Sequence, residues 1–331
     1  MDEAAYGTRN ARGEWVPNRR ASYGPLCAWP TKPLQILRWL PSYLLPWNAL
    51  YAGVAVLAYM FATPARATMQ SLSAGWIALV LLRNLTVVAA WYGLFHWRLY
   101  MRRAQDTRCK YNARWPRTSD RFTFGSQTRE NVFYSLAVGV PVWTAWEVLT
   151  LWLFANGHIT WLSWSQHPVW FVALFLLVPM WRDIHFYWVH RLIHVPWIYR
   201  HVHALHHRNT NPGPWSGLSM HPVEHVVYFS AVLIHWVVPS HPVHAMFNLF
   251  HAAMAPVPGH TGFEKIELGR AHTVDTNGQA HYLHHKYFEV NYADGAIPFD
   301  RWFGSFHDGS PEAHVAMKTR LAARNVVAAS D

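Results

Sequence analysis

The sequence predicts an all-α integral membrane protein with about four transmembrane helices and a cytoplasmic, histidine-rich helical cap. Three features of the chain point there. Four apolar runs approach the length of a bilayer crossing, basic residues fall on alternate sides of them, and a crowd of histidines begins where the fourth run stops. Composition agrees: 52% of the 331 residues are hydrophobic and only 14% charged, against roughly 25% charged in ordinary soluble domains. Mean hydropathy is close to zero, so a substantial polar part must accompany the spans.

Residues 1–42 read as a basic leader, with Arg9, Arg12, Arg19, Arg20, Lys32 and Arg38 among prolines and glycines that oppose one long helix. The leader has no apolar core of a signal peptide, so insertion is expected to rest on the first span. Residues 43–62 carry no charge and are closed by Pro64. Such a run crosses a bilayer core of about 30 Å at about 1.5 Å per residue. Residues 76–96 are the second candidate, with Arg83 and Asn84 inside. A charge at mid-depth costs ~2.5–3.5 kcal/mol unless it snorkels or faces protein. Residues 132–155, with Pro141 and Glu147, are the third. Residues 168–181 are the fourth, expected to continue as a helix to His190. The region 43–181 is thus read as transmembrane, interrupted by the basic loop 98–131. Residues 226–250 are apolar but broken by Pro239, His235, His241 and His244. A buried helix pair dipping into the membrane surface is expected there, with a fifth and sixth full span as the alternative. The tail, 307–331, reads as a short basic helix.

Charge asymmetry orients the spans. Loop 98–131 holds Arg98, Arg102, Arg103, Arg108, Lys110, Arg114, Arg117, Arg121 and Arg129, whereas 63–74 holds Arg66 alone and 156–167 holds no basic residue. The N-terminus, the basic loop and everything after the fourth span are therefore expected on the cytoplasmic side. The net charge of +10 lies in loops between apolar runs, so no nucleic-acid partner is expected.

The histidines repeat a helical spacing. His190 and His194 are four apart and share a helix face. His203 and His207 repeat that relation, with His206 beside them, and His281, His284 and His285 do so again. Two imidazoles so placed can bind one metal through ring nitrogens at about 2 Å. Eight such nitrogens exceed the needs of one ion and point to two metals in one cage. Isolated histidines such as His96, His158, His167, His307 and His314 read as core or interfacial residues. Cys27 and Cys109 lie far apart and offer no thiolate pair. Imidazole alone leaves iron, copper, nickel and zinc open. A site beside an apolar phase favours iron that activates O2, because unactivated C–H bonds require it.

These motifs closely resemble the fatty acid hydroxylase/sterol desaturase superfamily of membrane, histidine-ligated di-iron oxygenases. The matching residues run from Asp183 through His190-Arg191-Leu192-Ile193-His194, then His203-Ala204-Leu205-His206-His207, then His281-Tyr282-Leu283-His284-His285. Also similar are His221-Pro222-Val223-Glu224, His260-Thr261-Gly262-Phe263-Glu264, Asn291-Tyr292 and Asp300-Arg301-Trp302-Phe303-Gly304. The resemblance covers roughly residues 130–306 and implies a catalytic domain there. It implies two iron ions (Fe2+) held by His190, His194, His203, His206, His207, His281, His284 and His285, with His260 as a ninth ligand. His221, His225 and His251 are weaker candidates. Asp183 and Glu224 are expected to accept a proton from the far ring nitrogen of a ligand, and Asn291 to be structural or to support a ligand. The segment 251–260 departs from the family's usual His-x-x-x-His helix, which leaves further ligands open.

The resemblance further implies O2 as co-substrate and an external electron donor: a ferredoxin, cytochrome or reductase. The expected reaction is hydroxylation of a membrane lipid, with a bacterial polar lipid such as ornithine lipid preferred and an inner-membrane location. Sterol or hopanoid oxidation or desaturation and carotenoid or fatty-acyl hydroxylation are the alternatives. Hydroxylation and desaturation share a first hydrogen removal, so ligands alone do not separate them. A membrane zinc hydrolase is a different class, but Arg191 stands where a His-Glu-x-x-His helix needs its glutamate. A haem carrier would place paired histidines inside the spans, whereas these follow the fourth.

Overall fold

The computed structural model describes residues 3–269 and 272–330 and is mostly helical. Among the described residues four helices are long and apolar enough to cross a membrane: α1 (Pro33–Ala62), α2 (Ala74–Met101), α3 (Gln127–Ala155) and α4 (Pro168–Ile193). The chain is an integral membrane protein built on these four. α1 and α4 each start on a proline, whose missing N–H is harmless at a first helical position. Starting at Pro33 makes the end of the expected leader helical. Its first turns expose Leu34 and Leu37, and the chain leaves helical geometry at Leu45 (φ -108, ψ 143) before Pro46, where a residue preceding proline is driven out of the α region. α4 runs unbroken to Ile193, so one rod carries His190 from the apolar zone into the cap.

The charges inside the spans face protein. Arg83 donates to a Glu147 oxygen, to Asn84 Oδ1 at 2.9 Å and to Ala62 O at 3.2 Å. Asn84 Nδ2 donates to the other Glu147 oxygen at 2.9 Å. The pair thereby joins α2 to α3 with its polar atoms satisfied, as an ion pair inside a membrane must be.

The apolar segment 226–250 was expected as a buried helix pair, and its second helix is buried throughout. It forms two helices, α5 (Pro222–Val237) and α6 (Pro242–Met254), folded back inside the bundle. Their turn reaches the loops at the end away from the cap: Ser240 bridges Trp161, and Trp170 Nε1 donates to Pro239 O at 3.0 Å. Every residue of α6 is buried, as expected of a helix without a charged face. Its last carbonyls, left without helical donors, accept from aromatic side chains. Tyr228 Oη reaches Ala252 O at 2.7 Å, Tyr92 Oη reaches Ala253 O at 2.7 Å, and Trp91 Nε1 reaches Met254 O at 3.0 Å.

The cap follows α4. Turns over 196–207, the segment Pro256–His260, the strands β1 (Gly7–Arg9), β2 (Trp15–Pro17), β3 (Lys265–Leu268) and β4 (His272–Asp275), α7 (Gln279–Tyr287) and α8 (Pro311–Ser330) build it. β1 pairs with β2 and β3 with β4, both antiparallel. The basic loop after α2 is part of this cap. Arg108 grips Glu267 with two bonds of 2.8 Å, Tyr111 N donates to Gly262 O at 2.9 Å, and Glu264 N donates to Cys109 O at 2.8 Å. Basic loop and histidine segments thus occupy one end of the bundle.

Candidate metal centre

The structure brings nine histidines together in two adjoining groups. One holds His190, His194, His203, His207 and His284; the other holds His206, His260, His281 and His285. Within each group the nearest ring nitrogens lie within 4.8 Å of one another. Four segments supply them: the end of α4, the turns over 196–207, Pro256–His260 and α7. All nine are buried except His194, which is half-buried.

Backbone carbonyls fix several ring orientations. His190 Nδ1 lies 2.7 Å from Tyr292 O, His284 Nδ1 2.7 Å from Val290 O, and His260 Nδ1 2.8 Å from Pro256 O. His206 Nδ1 is 3.3 Å from Ser219 O. A carbonyl only accepts, so Nδ1 carries the proton and the Nε2 lone pair is left for the interior. His203 Nδ1 reaches Glu224 Oε1 at 2.7 Å instead. The turn 290–292 depends on Asn291, whose φ of 52° suits asparagine. Its side chain donates to His307 O at 2.8 Å and Ala280 O at 3.1 Å. Asp300 accepts from Tyr292 N at 2.9 Å and Ala293 N at 2.7 Å. Asn291 and Asp300 therefore aim the carbonyls that aim two histidines.

The donor geometry fits metal ions. His260 Nε2 lies 3.0 Å from His281 Nε2, 3.2 Å from His285 Nε2 and 3.4 Å from His206 Nε2, and the His281–His285 pair is 3.1 Å apart. In the other group His207 and His284 approach to 3.1 Å through Nε2. Nitrogens held at about 2.0–2.1 Å by one tetrahedral ion are about 3.3–3.4 Å apart. Buried His194 Nε2 and His203 Nε2 have no hydrogen-bond partner, and an unsatisfied buried acceptor costs about 1–3 kcal/mol. A cation between the rings removes that penalty. Burial pushes His206 down to about 4 and His260 down to about 3, and holds His203, His207, His281, His284 and His285 well below the usual imidazole range. Neutral imidazoles are the form that binds metal.

Other candidate residues sit elsewhere. His251 Nε2 pairs with Asn48 Oδ1 of α1 at 2.8 Å. His221 starts α5, its Nδ1 accepting from Val223 N at 3.3 Å. His225 packs over Gly139, where an added Cβ would fall 2.6 Å from its ring. Asp183 serves no histidine: its Oδ2 accepts from Ala296 N at 2.9 Å, and Arg182 lies 3.8 Å away. Of the two carboxylates, Glu224 faces a ring nitrogen of His203, whereas Asp183 lies on α4 against the 295–296 turn. Arg191, which departs from the zinc-hydrolase pattern, is exposed and stacks over Tyr292 at 4.6 Å.

A narrow cavity adjoins the cage. His190, His203, His206, His260 and His281 line one part; Arg182, Tyr228 and Asp294 line another. No motif flagged these last three. The available signal was a lone arginine near the end of an apolar span.

Comparison with known proteins agrees with the site. Residues 175–305 match the family described as fatty acid hydroxylase. A Delta(7)-sterol 5(6)-desaturase of Gibberella zeae is 32% identical over 149 residues, 43% of this chain and 44% of that protein. A Delta(7)-sterol 5(6)-desaturase of Aspergillus fumigatus is 30% identical over 176 residues, 46% of this chain and 55% of the relative. Methylsterol monooxygenase 1 of Gallus gallus is 29% identical over 148 residues, 43% and 50% of the two chains. The chain spans about half the length of the curated relatives it matches. No solved structure matches it. Residues 175–305 are thus similar to the fatty acid hydroxylase family, and the relatives that share this region are sterol desaturases and a methylsterol monooxygenase.

Proposed function

We propose that the chain is an oxidoreductase that hydroxylates a membrane lipid at a di-iron centre, using O2 and electrons from an external carrier. The observation that carries this reading is the pair of converging histidine groups, five and four rings. Nine nitrogen donors suit two ions better than one, imidazole is a ligand that iron accepts, and similarity to the fatty acid hydroxylase family favours iron among the metals imidazole binds. Iron bound there would supply O2 activation and removal of hydrogen from an unactivated carbon. The protein's part is positional. Tyr292 O, Val290 O, Pro256 O and Glu224 hold ring nitrogens in one tautomer, and the buried cap keeps bulk water from the reacting carbon. The preferred substrate is a bacterial polar lipid such as ornithine lipid, in an inner membrane with the cap on the cytoplasmic side. The basic loop packed into the cap supports that orientation.

The names of two relatives support a second reading, in which a sterol-like lipid loses two hydrogens instead of gaining oxygen. Mass spectrometry of lipids from cells with and without the intact chain separates the two, as gain of one oxygen or loss of two hydrogens. Elemental analysis of the purified protein belongs to the same experiment: two irons per chain are expected. One zinc and no iron, with no lipid changed, would end the oxygenase reading.

A further inference from the structure

The cavity beside the cage has a polar end that the metal centre does not use. Arg182 is 3% exposed and lies within the fourth apolar span. Its Nη2 donates to Tyr228 Oη at 3.0 Å and its Nη1 to Asp294 Oδ2 at 3.3 Å, while its guanidinium lies 4.7 Å from the Phe186 ring. Its Nε is buried without any hydrogen-bond partner. Glu224, 3% exposed, presents a second unpartnered atom, Oε2, on the same cavity wall. An arginine at this depth is costly unless it has work to do, and a buried N–H without an acceptor adds to that cost.

The geometry points to a substrate-binding station: Arg182, steadied by Tyr228 and Asp294, holds an oxygen of the lipid while a nearby carbon of the same molecule faces the metals. This rests on the oxygenase reading and deepens it. Guanidinium N–H only donates, so the group it takes is an acceptor, such as an ester or amide carbonyl or a hydroxyl oxygen. The whole cavity, from Arg182 to the histidines, is small, about 20 Å³, by a measure in which one water needs roughly 10–15 Å³. One oxygen-bearing group fills it. Arg182, Phe186 and His190 follow one another at four-residue steps along α4, so the station and the nearest ligand are about 12 Å apart along the helix axis. The oxidised carbon therefore lies within about 12 Å of the oxygen that Arg182 holds. A hydrocarbon without an oxygen at that distance, such as a carotene or the distal part of an acyl chain, leaves Arg182 unmatched.

The test uses the purified full-length chain in nanodiscs, with iron and a chemical reductant, given a total lipid extract from the cells that carry it. Variants are Tyr228→Phe, Arg182→Lys and the double variant Arg182→Met/Asp294→Asn, the last removing Arg182 with its nearer carboxylate while Asp183 keeps its bond from Ala296 N. Tandem mass spectrometry locates the change, and the lipid so identified is then titrated. The expected result is a wild-type product modified at one carbon within about 12 Å of a carbonyl or hydroxyl. Arg182→Lys and the double variant should keep wild-type iron content, raise KM about tenfold or more, hold kcat within about threefold, and spread the modification over several carbons. Tyr228→Phe should show the same change more weakly. An unchanged KM and a single site of modification in the iron-replete variants would overturn the station, as would a wild-type product altered far from any oxygen. A wild type that binds no iron and alters no lipid defeats the oxygenase reading itself, and the station with it.

Discussion

His203 Nδ1 and Glu224 Oε1 lie 2.7 Å apart, both residues almost fully buried. The bond links the turns after α4 to the first turn of α5 and leaves His203 Nε2 facing the other imidazoles. Replacing such a support weakens metal binding about 10–100-fold. Glu224→Ala should therefore lose iron in competition with a chelator, while Glu224→Gln, which keeps an acceptor oxygen, should lose less. Equal retention in wild type and Glu224→Ala would detach Glu224 from the metal site.

Histidines inside and outside the two groups should separate cleanly. His207→Ala and His285→Ala are expected to abolish lipid modification and lower iron content, whereas His158→Ala and His314→Ala should leave both intact. His251→Ala removes the partner of Asn48. It should retain iron but melt earlier, by about 1–3 kcal/mol of stability. Iron loss in His251→Ala would move that residue into the cage.

Metal should act as a brace between segments far apart in the chain. Binding to the folded state alone adds stability as RT ln(1 + [L]/Kd), about 4 kcal/mol when ligand is ~1,000-fold above Kd. Chelation should lower the melting temperature and readdition of Fe2+ should restore it. A melting curve indifferent to both treatments would contradict binding by these rings.

Gly295 packs directly on Asp183: an added Cβ would fall 1.8 Å from the carboxylate. Gly295→Ala must displace Asp183 from Ala296 N, an overpacking expected to destabilise by about 1–3 kcal/mol. Gly93→Ala is the control, since nothing lies within 4 Å of its Cβ position. Thermal melting in detergent compares them.

Arg83 and Glu147 give a prediction within the membrane. Glu147→Ala strands a buried guanidinium, at about 3–5 kcal/mol. The double variant Arg83→Met/Glu147→Ala should recover much of the loss. If the double variant is as unstable as the single, the ion pair is not the source of the effect.

The spans and most of the cage were legible because both are written in local spacing. Uncharged runs of bilayer length and histidines at helical intervals need no long-range information, so the four spans could be placed to within a few turns and eight histidines singled out by spacing, with His260 added by the family resemblance alone. Partnership was less legible. Asp183 and Glu224 look alike in sequence, yet one braces a histidine and the other a backbone turn, because their distances from the cage depend on how α4 meets α5. His251 is adjacent to the cap in sequence but faces α1, a choice made by the burial of α6 on every side. The hairpin itself was read as a buried helix pair dipping into the membrane surface because Pro239 and three histidines interrupt it. In the fold those groups find partners: His235 Nδ1 with Ser240 Oγ at 2.9 Å and His244 Nε2 with Phe171 O at 2.9 Å. Arg182 was invisible as a site residue, since nothing local distinguishes a cavity arginine from one that snorkels.

The α5–α6 hairpin also imposes an order of biogenesis. Its helices are too short to be inserted as independent spans, so they can lodge only after α1, α3 and α4 stand around the place they fill. Glu224 lies at the hairpin's entrance and Pro256–His260 directly follows its exit. Until the hairpin is seated, one group of histidines lacks its brace and the other lacks His260. If these rings hold metal, as proposed, chains arrested before the hairpin seats should accumulate in the membrane as spanning but metal-free protein.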